Sequence, residues 1–439
     1  MLRAAFSLNT IDDVPRTPYE AAILHLNSLQ SNAASIQKIR EKRDLMQEIN
    51  VPETLAFLKK CEIEFLTCVY LQLDAIDKLN VIHVSGTKGK GSTCAFAESI
   101  LRQLGFKTEK VDVAIVEVGI GGEYDSTNIV QNPIVCGIST LDIDHTSLLG
   151  LSLPEIAWHK AGILKKNVQA VVSPTTHESL TVIANRAVEK EVSTSICLSP
   201  DFKSYVWPYD KISAGIAGEH QKINISLALQ LVRTWLKETG HEASVFPDVT
   251  ENLWYPGRPF AVPETFIEGI KSCKWPGRSQ IIDSGRIRYY LDGAHTPKSM
   301  EMCSQWFTSE LSKQREPGRK RVLVFQCTAD RNPSSLLPYL KEISFHYALF
   351  CPTVLHLCQD KKSDLTNFNQ STTEQMTRSQ LCSEIWKEIG TGVPLTHDCI
   401  KSTVEWIMEK SKTDSMDVLI TGSFHLVGGI LSLIYPNVD

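Results

Sequence analysis

Residues 81–93, VIHVSGTKGKGST, contain a short β-branched run followed by a loop with three glycines. Phe96, Ile100 and Leu104 then recur at helical spacing, which predicts the order strand, glycine-rich loop, helix. Amides of such a loop can face a triphosphate, which a lysine and the positive helix end neutralise, and a hydroxyl is left for a magnesium ion. The spacing differs from the regular Walker pattern, and the alternative is a tight glycine turn with two solvated lysines. The flanking strand and helix favour a nucleotide loop.

The loop GTKGKGST at residues 86–93 resembles the nucleotide loop of folylpolyglutamate synthases, within the wider Mur ligase superfamily. Further similar blocks run from Tyr19 to nearly the last residue, so the resemblance covers almost the whole chain. It implies an α/β protein of the Mur ligase type. Residues 1–272 are expected to form a P-loop-containing ATPase domain with a parallel sheet, and residues 273–439 a smaller Rossmann-like domain for glutamate ligation.

Composition and charge exclude several classes of protein. The 439 residues are 42% hydrophobic and 22% charged, which is typical of a soluble globular protein with two or three domains. A net charge of −5 gives no basic field for nucleic acid, and no apolar run is long enough to span a membrane. The 12 cysteines lack metal-binding spacing and favour a reducing compartment. We expect a cytoplasmic monomer, with a mitochondrial form as the alternative because MLRAAFSL faintly resembles a presequence.

Two polar residues follow apolar runs that predict strands. Residues 111–118, VDVAIVEV, predict a buried parallel strand, and Glu117 lies near its end, where parallel sheets bind ligands. A buried carboxylate is unfavourable unless it is paired or metal-bound, so we predict that Glu117 holds the magnesium of the nucleotide. Residues 133–139 predict a second strand, which leads to His145 beside two aspartates. The resemblance implies that His145 binds a second magnesium, whereas a lone histidine is more often a polar core residue; K⁺ is a further candidate ion.

The resemblance also assigns roles to four residues farther along the chain. Lys160 matches a lysine that is carbamylated in family members, where the carbamate is a metal ligand. Arg278 matches an arginine that reaches the ATP phosphates from the second domain. Asp292 matches a residue that contacts the nucleotide, and His295 matches a residue near the incoming amine. The predicted catalytic residues are Lys90, Lys160 and His295; the predicted metal ligands are Ser92, Glu117 and His145; and the predicted nucleotide-binding residues are Gly86, Thr87, Lys88, Gly89, Lys90, Gly91, Ser92, Thr93, Gln221, Asn224, Arg278 and Asp292.

Two further segments are expected to contact organic parts of the substrates. Residues 119–128, GIGGEYDSTN, resemble the family loop that borders the folate site. Gln221 and Asn224 match a helix entry that contacts adenine, and their amides suit a base edge. The alternative for these two residues is helix capping.

The reaction that the resemblance implies joins L-glutamate to the γ-carboxylate of a tetrahydrofolate, with ATP hydrolysed to ADP and phosphate. A carboxylate is a poor acyl donor, so phosphorylation to an acyl phosphate must precede attack by the amine. The implied partners are ATP, two Mg²⁺ ions, L-glutamate and a tetrahydrofolate with one or more glutamates. Dihydrofolate synthase is an alternative in the same class. Lys88 favours the polyglutamylating type, because many bacterial bifunctional relatives have asparagine there.

One block of the family pattern is absent. Family members carry several dozen residues between the loop helix and the acidic strand, including a Ser-Pro-His segment whose serine helps to hold the magnesium pair. Here residues 107–112, KTEKVD, run directly into the strand, and the chain contains no Ser-Pro-His. Helix–strand loops of about two to six residues are ordinary, so we expect the fold to survive with one strand fewer. A catalytically impaired nucleotide-binding isoform is therefore the alternative function.

The remaining sequence predicts a second layered domain. Strands are expected near residues 286–291, 321–327, 345–351 and 416–421, alternating with helices. Residues 240–273 lose helical periodicity and contain several prolines, which predicts an irregular approach to the domain boundary. Residues 360–378 are polar and predict a surface loop.

Overall fold

The structure is a computed structural model, and it describes residues 50–61, 76, 78–108, 112–192, 196–208, 212–247, 254–314, 316, 318–328, 331–356 and 372–435. Tyr19 therefore lies outside the described residues. The described residues fall into two compact units, with Arg278 as the last residue of the first and Ser279 as the first residue of the second. No helix in these described ranges is both long and apolar enough to cross a bilayer.

The first unit is built on a parallel sheet with strand order β2-β1-β3-β4-β5. Because every pair is parallel, the carboxyl ends of the strands share one edge, where the nucleotide loop follows β1. The strands are β1 Ile82–Ser85, β2 Ile115–Glu117, β3 Val135–Ile138, β4 Gln169–Val172 and β5 Cys197–Leu198. The α-helices are α1 Asn50–Cys61, α2 Lys90–Gln103, α3 Thr146–Leu149, α4 Leu153–Lys160, α5 His177–Glu189, α6 Gln221–Glu238, α7 Glu242–Val245 and α8 Glu264–Ser272, and short 3₁₀ turns span Ser126–Ile129, Ala161–Ile163 and Phe202–Ser204.

Helix α2 holds the nucleotide loop against the core. Phe96, Ile100 and Leu101 are fully buried on one face of α2, as their helical spacing predicts. Helices α6 and α8 both pack against α2. A Cβ on Gly269 would lie 2.7 Å from the Ile100 Cα, so only glycine lets α8 approach this closely. The predicted order strand, loop, helix is confirmed, although α2 begins at Lys90, two residues before the predicted opening at Ser92.

The prediction of a long buried strand at residues 111–118 is wrong. The strand spans only Ile115–Glu117, and among the described strands it lies at the edge of the sheet, where its partner is β1. Its side chains are not fully buried, and the Glu117 side chain is 40% exposed. The sequence pattern could not show this, because whether a strand is central or at an edge depends on its neighbours in the sheet.

The short connection between α2 and β2 is well packed where it is described. The Phe106 ring meets the edge of Trp235 with centroids 5.0 Å apart, and the Lys107 amide donates to the Asp112 carboxylate at 2.9 Å. The Asn80 side chain donates to the Asp112 carbonyl at 3.0 Å, which ties this segment to the start of β1. These contacts fix the described ends of the connection between α2 and β2.

The second unit is a six-stranded sheet with order β10-β9-β8-β11-β7-β6, parallel except for the β6–β7 hairpin. The strands are β6 Gln280–Ser284, β7 Ile287–Leu291, β8 Lys320–Phe325, β9 Tyr347–Phe350, β10 Val393–Thr396 and β11 Met416–Thr421. The helices are α9 Pro297–Lys313, α10 Pro333–Leu336, α11 Thr372–Ile389, α12 Ile400–Lys410 and α13 Phe424–Ile434, with a 3₁₀ turn at Leu337–Leu340. This is the layered α/β arrangement that the alternating pattern predicts.

Candidate active site

The nucleotide loop depends on two glycines whose φ angles are positive. Gly86 has φ 142° and Gly89 has φ 85°, which are conformations that residues with a Cβ adopt poorly. Both positions are also crowded: a Cβ on Gly86 would lie 1.9 Å from Ser139 Oγ, and a Cβ on Gly89 would lie 2.0 Å from Asn224 Oδ1. The backbone turn and its tight packing both require glycine at these positions.

We expect Gly89→Ala to abolish measurable ADP binding at micromolar concentrations. The change imposes about 1–2 kcal/mol of backbone strain and typically about 1–3 kcal/mol of overpacking against Asn224. Gly105→Ala is the matched control, because Gly105 has a similar φ of 91° but nothing within 4 Å of its added Cβ. Both variants should lose thermal stability, and only Gly89→Ala should lose ADP binding in calorimetry. Equal ADP affinity in the two variants would contradict this account.

The two lysines of the loop have different partners. Lys90 Nζ lies 3.9 Å from Glu117 Oε1, and Lys88 Nζ lies 2.8 Å from Asp144 Oδ2. Only Lys90 therefore shares the side of the loop with the predicted magnesium ligand Glu117. Burial lowers the pKa of Lys90, and the positive charges of Lys88 and Arg278 act in the same direction, against the attraction of Glu117.

The first turn of α2 lies beneath Glu117. A Cβ on Gly91 would lie 3.1 Å from Glu117 Oε2 and 3.2 Å from Trp275 Nε1, so a carboxylate and an indole cover this turn. Ser92 and Thr93, the predicted hydroxyl residues, are buried in the same turn. The first amides of a helix have no acceptor within the helix, so this turn can bind an anion.

Lys160 is buried beneath the loop at the end of α4. Its Nζ donates to the Gly86 carbonyl at 2.7 Å. Burial lowers the pKa of Lys160 to about 7, and the neighbouring charge of Lys90 contributes further, partly offset by Asp144. The buried amine is therefore about half neutral near neutral pH, which an exposed lysine is not.

Several charged groups act on the buried lysines of this site. In addition to burial, Lys88 and Arg278 lower the pKa of Lys90, and Lys90 and Lys88 lower the pKa of Lys160, whereas Glu117 acts in the opposite direction on Lys90 and Asp144 on Lys160. Repulsion between like charges is unfavourable unless an anion relieves it. Two features at the start of α2 thus match the requirements of a bound polyphosphate: the cations Lys90 and Arg278, and the first-turn amides of α2 as donors.

Predicted metal ligands approach the same edge but form no closed cage. His145 is exposed, adopts a left-handed conformation with φ 48°, and precedes α3. Within the described ranges, no three His, Cys, Asp or Glu side chains are grouped as metal ligands. Mg²⁺ is usually held by one or two carboxylates together with substrate phosphates and water, so Glu117 and the Ser92 hydroxyl fit this ion. The imidazole of His145 is a less typical Mg²⁺ ligand.

The predicted adenine residues are buried near the loop. Asn224 Nδ2 donates to Gln221 Oε1 at 2.8 Å, and Gln221 Nε2 lies 3.1 Å from His220 Nε2. No side chain caps α6, so the alternative interpretation of these residues as helix caps is wrong. Asn224 instead packs against Gly89, which links this helix entry to the phosphate loop.

In the second unit, Asp292 and His295 organise the turn between β7 and α9. Asp292 accepts hydrogen bonds from the Ser279 amide at 2.9 Å, the Ser279 hydroxyl at 3.1 Å and the Ala294 amide at 3.0 Å. His295 Nδ1 lies 2.9 Å from the Gly293 carbonyl, which can only accept, so Nδ1 carries the proton and Nε2 is the basic nitrogen. The His295 ring also meets the edge of Phe424 at 5.4 Å.

The sequence did not indicate a chain of hydrogen bonds that runs from His83 through Thr127 to Asp125 in the predicted folate loop. The Thr127 hydroxyl donates to Asp125 Oδ1 at 2.7 Å, so it accepts from His83 Nε2 at 3.0 Å. Burial lowers the pKa of His83 to about 4, so its ring is neutral at physiological pH. Asp125 also accepts a hydrogen bond from the Ile120 amide, which joins the two ends of the 120–125 segment. No sequence signal identified His83, because a histidine within a β-branched run resembles any strand residue.

Comparison with known proteins gives close relatives over nearly the full length. No family model matches the chain. A Caenorhabditis elegans protein provisionally named folylpolyglutamate synthase is 40% identical, covering 94% of this chain and 92% of the relative. The mitochondrial folylpolyglutamate synthase of Homo sapiens is 30% identical, covering 99% of this chain and 94% of that protein. The alignment with the nematode relative spans 486 positions, more than the 439 residues here, so the relative has residues without a counterpart in this chain.

Solved structures share the fold. A Mycobacterium tuberculosis folylpolyglutamate synthase complexed with ADP and AMPPCP superposes with a TM-score of 0.59 at 17% identity, covering 82% of this chain and 95% of that chain. At this identity the similarity concerns the fold, and it confirms the predicted α/β architecture.

Proposed function

We propose, because the chain belongs to the folylpolyglutamate synthase family, that it is an ATP-dependent ligase that adds L-glutamate to the γ-carboxylate of tetrahydrofolates. The reaction passes through an acyl phosphate. The observation that carries this proposal within the structure is the positive charge at the glycine loop, where the largely buried Lys90 begins α2 and the positive charge of Arg278 acts on it. A triphosphate brought against a carboxylate needs this neutralisation.

Phosphate binding is the proposed task of the loop and α2. The loop from Gly86 to Thr93 binds the nucleotide through its backbone amides, and the Lys90 ammonium bridges the β- and γ-phosphates. Arg278, the last residue of the first unit, stabilises charge that develops during phosphoryl transfer. Gln221 and Asn224 support the base end of the nucleotide, and Lys160, once carbamylated, adds a negative ligand for a metal.

Magnesium fits the oxygen donors at this end of the sheet. The Ser92 hydroxyl and the Glu117 carboxylate would hold one ion, and His145 with carbamylated Lys160 a second. When bound, Mg²⁺ neutralises phosphate charge and polarises the γ-phosphorus. Glu117 lies 3.9 Å from the Lys90 ammonium, so its carboxylate is already oriented towards the phosphate end of the loop.

The second unit is proposed to bind and orient the glutamate substrate. The proposed nucleotide domain is residues 1–272 and the proposed glutamate-ligase domain is residues 273–439, whereas the compact units divide six residues later, between Arg278 and Ser279, so Arg278 belongs to the first unit. Asp292 organises its loop through three hydrogen bonds and contributes to nucleotide binding. His295 presents a basic Nε2, which suits orientation and deprotonation of the glutamate amine. The proposed compartment is the cytoplasm, with a mitochondrial form in view of the named human relative, and the proposed state is a monomer.

The decisive assay incubates the purified chain with ATP, Mg²⁺, tetrahydrofolate and L-glutamate and measures the mass of the folate product. We expect successive additions of single glutamyl units. Product formed only from dihydropteroate would identify a dihydrofolate synthase. ADP binding without any folate product would identify the catalytically impaired isoform that the absent Ser-Pro-His segment suggests, and would contradict the proposal.

A further inference from the structure

Lys88 is predicted from the sequence to bind the nucleotide, but the position of its side chain in the structure points to another role. Its ammonium points to Asp144 at 2.8 Å, whereas the ammonium of Lys90, two residues later, lies near Glu117. The two lysines of this loop therefore lie near different elements. The Lys90 ammonium lies near the end of β2, and the Lys88 ammonium contacts the segment after β3.

The Asp144 carboxylate joins this lysine to the backbone of His145. The Asp144 side chain is only 4% exposed, and its two oxygens have separate partners: Oδ2 binds Lys88, and Oδ1 accepts the His145 amide at 2.9 Å. Removing one member of a buried ion pair leaves an uncompensated charge, which is strongly unfavourable. Lys88 can therefore leave Asp144 for a phosphate only at considerable energetic cost.

This contact constrains the backbone of His145. Its φ of 48° and ψ of 38° are left-handed, a conformation that residues with a Cβ keep only when their surroundings stabilise it. The hydrogen bond from its amide to Asp144 is one of these constraints, and the backbone conformation sets the direction of the Cα–Cβ bond from which the imidazole extends.

The remaining contacts between the loop and this segment are made by the backbone or by neutral groups. The amides of Thr87 and Lys88 both donate to the Thr140 carbonyl at 3.0 Å, and Ser139 Oγ donates to the Lys88 carbonyl at 2.9 Å. Thr87 Oγ1 donates to the Asp142 carbonyl at 3.1 Å. The Lys88–Asp144 pair extends this series of contacts to the residue next to His145.

We propose that Lys88 and Asp144 are a positioning pair that holds His145 in its metal-binding orientation relative to the nucleotide loop, and that Lys88 does not bind phosphate. This inference rests on the proposed function, because it concerns a metal that accompanies the nucleotide. Asp144 acts through His145 and Lys88 and touches neither substrate. The pair makes metal affinity, rather than nucleotide affinity, sensitive to Lys88.

The test compares Lys88→Met, Asp144→Asn and the double variant in the full chain, with Mn²⁺ as the probe. We expect each single change to weaken Mn²⁺ binding to the ADP complex by roughly 10-fold, as removal of outer-shell partners does. Free Mn²⁺ is counted by electron paramagnetic resonance. ADP affinity without divalent metal should change less than roughly threefold, and the double variant should lose no more than the worse single variant.

Two controls and two contrary outcomes define the test. Lys166→Met removes a lysine that pairs with Glu191 at 2.7 Å but is 65% exposed, and it should change neither affinity. The double variant, which buries no unpaired charge, keeps the test valid if a single variant unfolds. If Lys88→Met lowers ADP affinity in the absence of metal as much as Lys90→Met does, Lys88 binds phosphate and the proposed positioning pair is wrong. Unchanged Mn²⁺ affinity in Asp144→Asn would also overturn it.

Failure of the pair and failure of the proposed function give different results. Neither binding measurement uses folate or glutamate. A wild-type chain that binds Mn²⁺ and ADP but forms no glutamylated folate contradicts the proposed function and leaves the pair supported by its own variants. A wild-type chain that forms product while its Asp144→Asn variant keeps full Mn²⁺ affinity contradicts the pair alone.

Discussion

Replacing Lys90 with methionine is expected to lower kcat/KM for the ligase reaction by about 1,000-fold, the scale on which preorganised electrostatic groups act in closed sites. Methionine keeps much of the length and apolar volume of the lysine stem, so the change removes mainly the charge. The Lys90 side chain is largely buried, and a cation at a buried site interacts with phosphate more strongly than one in water.

The control for Lys90→Met is Lys166→Met, which removes an exposed lysine of the same unit. Both variants should keep the thermal transition of the wild type to within a few degrees. ADP affinity should fall in Lys90→Met and stay constant in Lys166→Met. If kcat/KM of Lys90→Met lies within tenfold of the wild-type value, Lys90 does not stabilise the phosphates during the reaction. The proposed mechanism then loses its main electrostatic support.

Replacing Lys160 with alanine is expected to lower kcat on the order of 100-fold, the scale seen when a group supporting a metal site is lost. A neutral amine attacks CO₂ to form the carbamate and releases one proton. Burial and the charge of Lys90 place the pKa of Lys160 at about 7, so the reactive neutral form is substantially populated. Because the neutral fraction rises with pH, carbamylation of CO₂-depleted protein should proceed faster above about pH 7 than below it.

The chemistry of rescue distinguishes a carbamate from an ordinary lysine. Short carboxylates such as acetate should restore part of the activity of Lys160→Ala if the missing group is a carbamate. Short alkylamines should restore it if the missing group is a cation. ¹³CO₂ should give the wild type one carbamate carbon signal that Lys160→Ala lacks. Rescue by amines together with no such signal would refute carbamylation.

The same experiment connects Lys160 with Lys90. The positive charge of Lys90 helps to lower the pKa of Lys160. In Lys90→Met the pKa of Lys160 should therefore rise, and the pH dependence of carbamylation should move to higher pH. This displacement is measured without turnover, so it remains observable in a variant that is nearly inactive.

Two sequence patterns differ from the structure, for physical reasons. Residues 240–273 lose helical periodicity in the sequence and approach the division between the units, yet they include α8, which follows Pro263 and packs on α2. The polar run at residues 360–378 was expected to be a loop. Its last seven residues belong to α11, which buries a single stripe that includes Ser379 and Cys382, and residues 360–371 lie outside the described ranges.

By itself, the sequence of residues 81–104 determined the nucleotide loop, because a strand, a glycine turn and an amphipathic helix are encoded by neighbouring residues. The same local pattern identified Lys90, whereas Lys160 and Asp292 were assigned by their resemblance to family motifs. Tertiary structure alone decided that β2 is an edge strand, that Glu117 is exposed and that Lys88 binds Asp144. These facts depend on contacts between residues far apart in the chain. Strand order and charge pairing arise only when the sheet assembles, so no local pattern contains them.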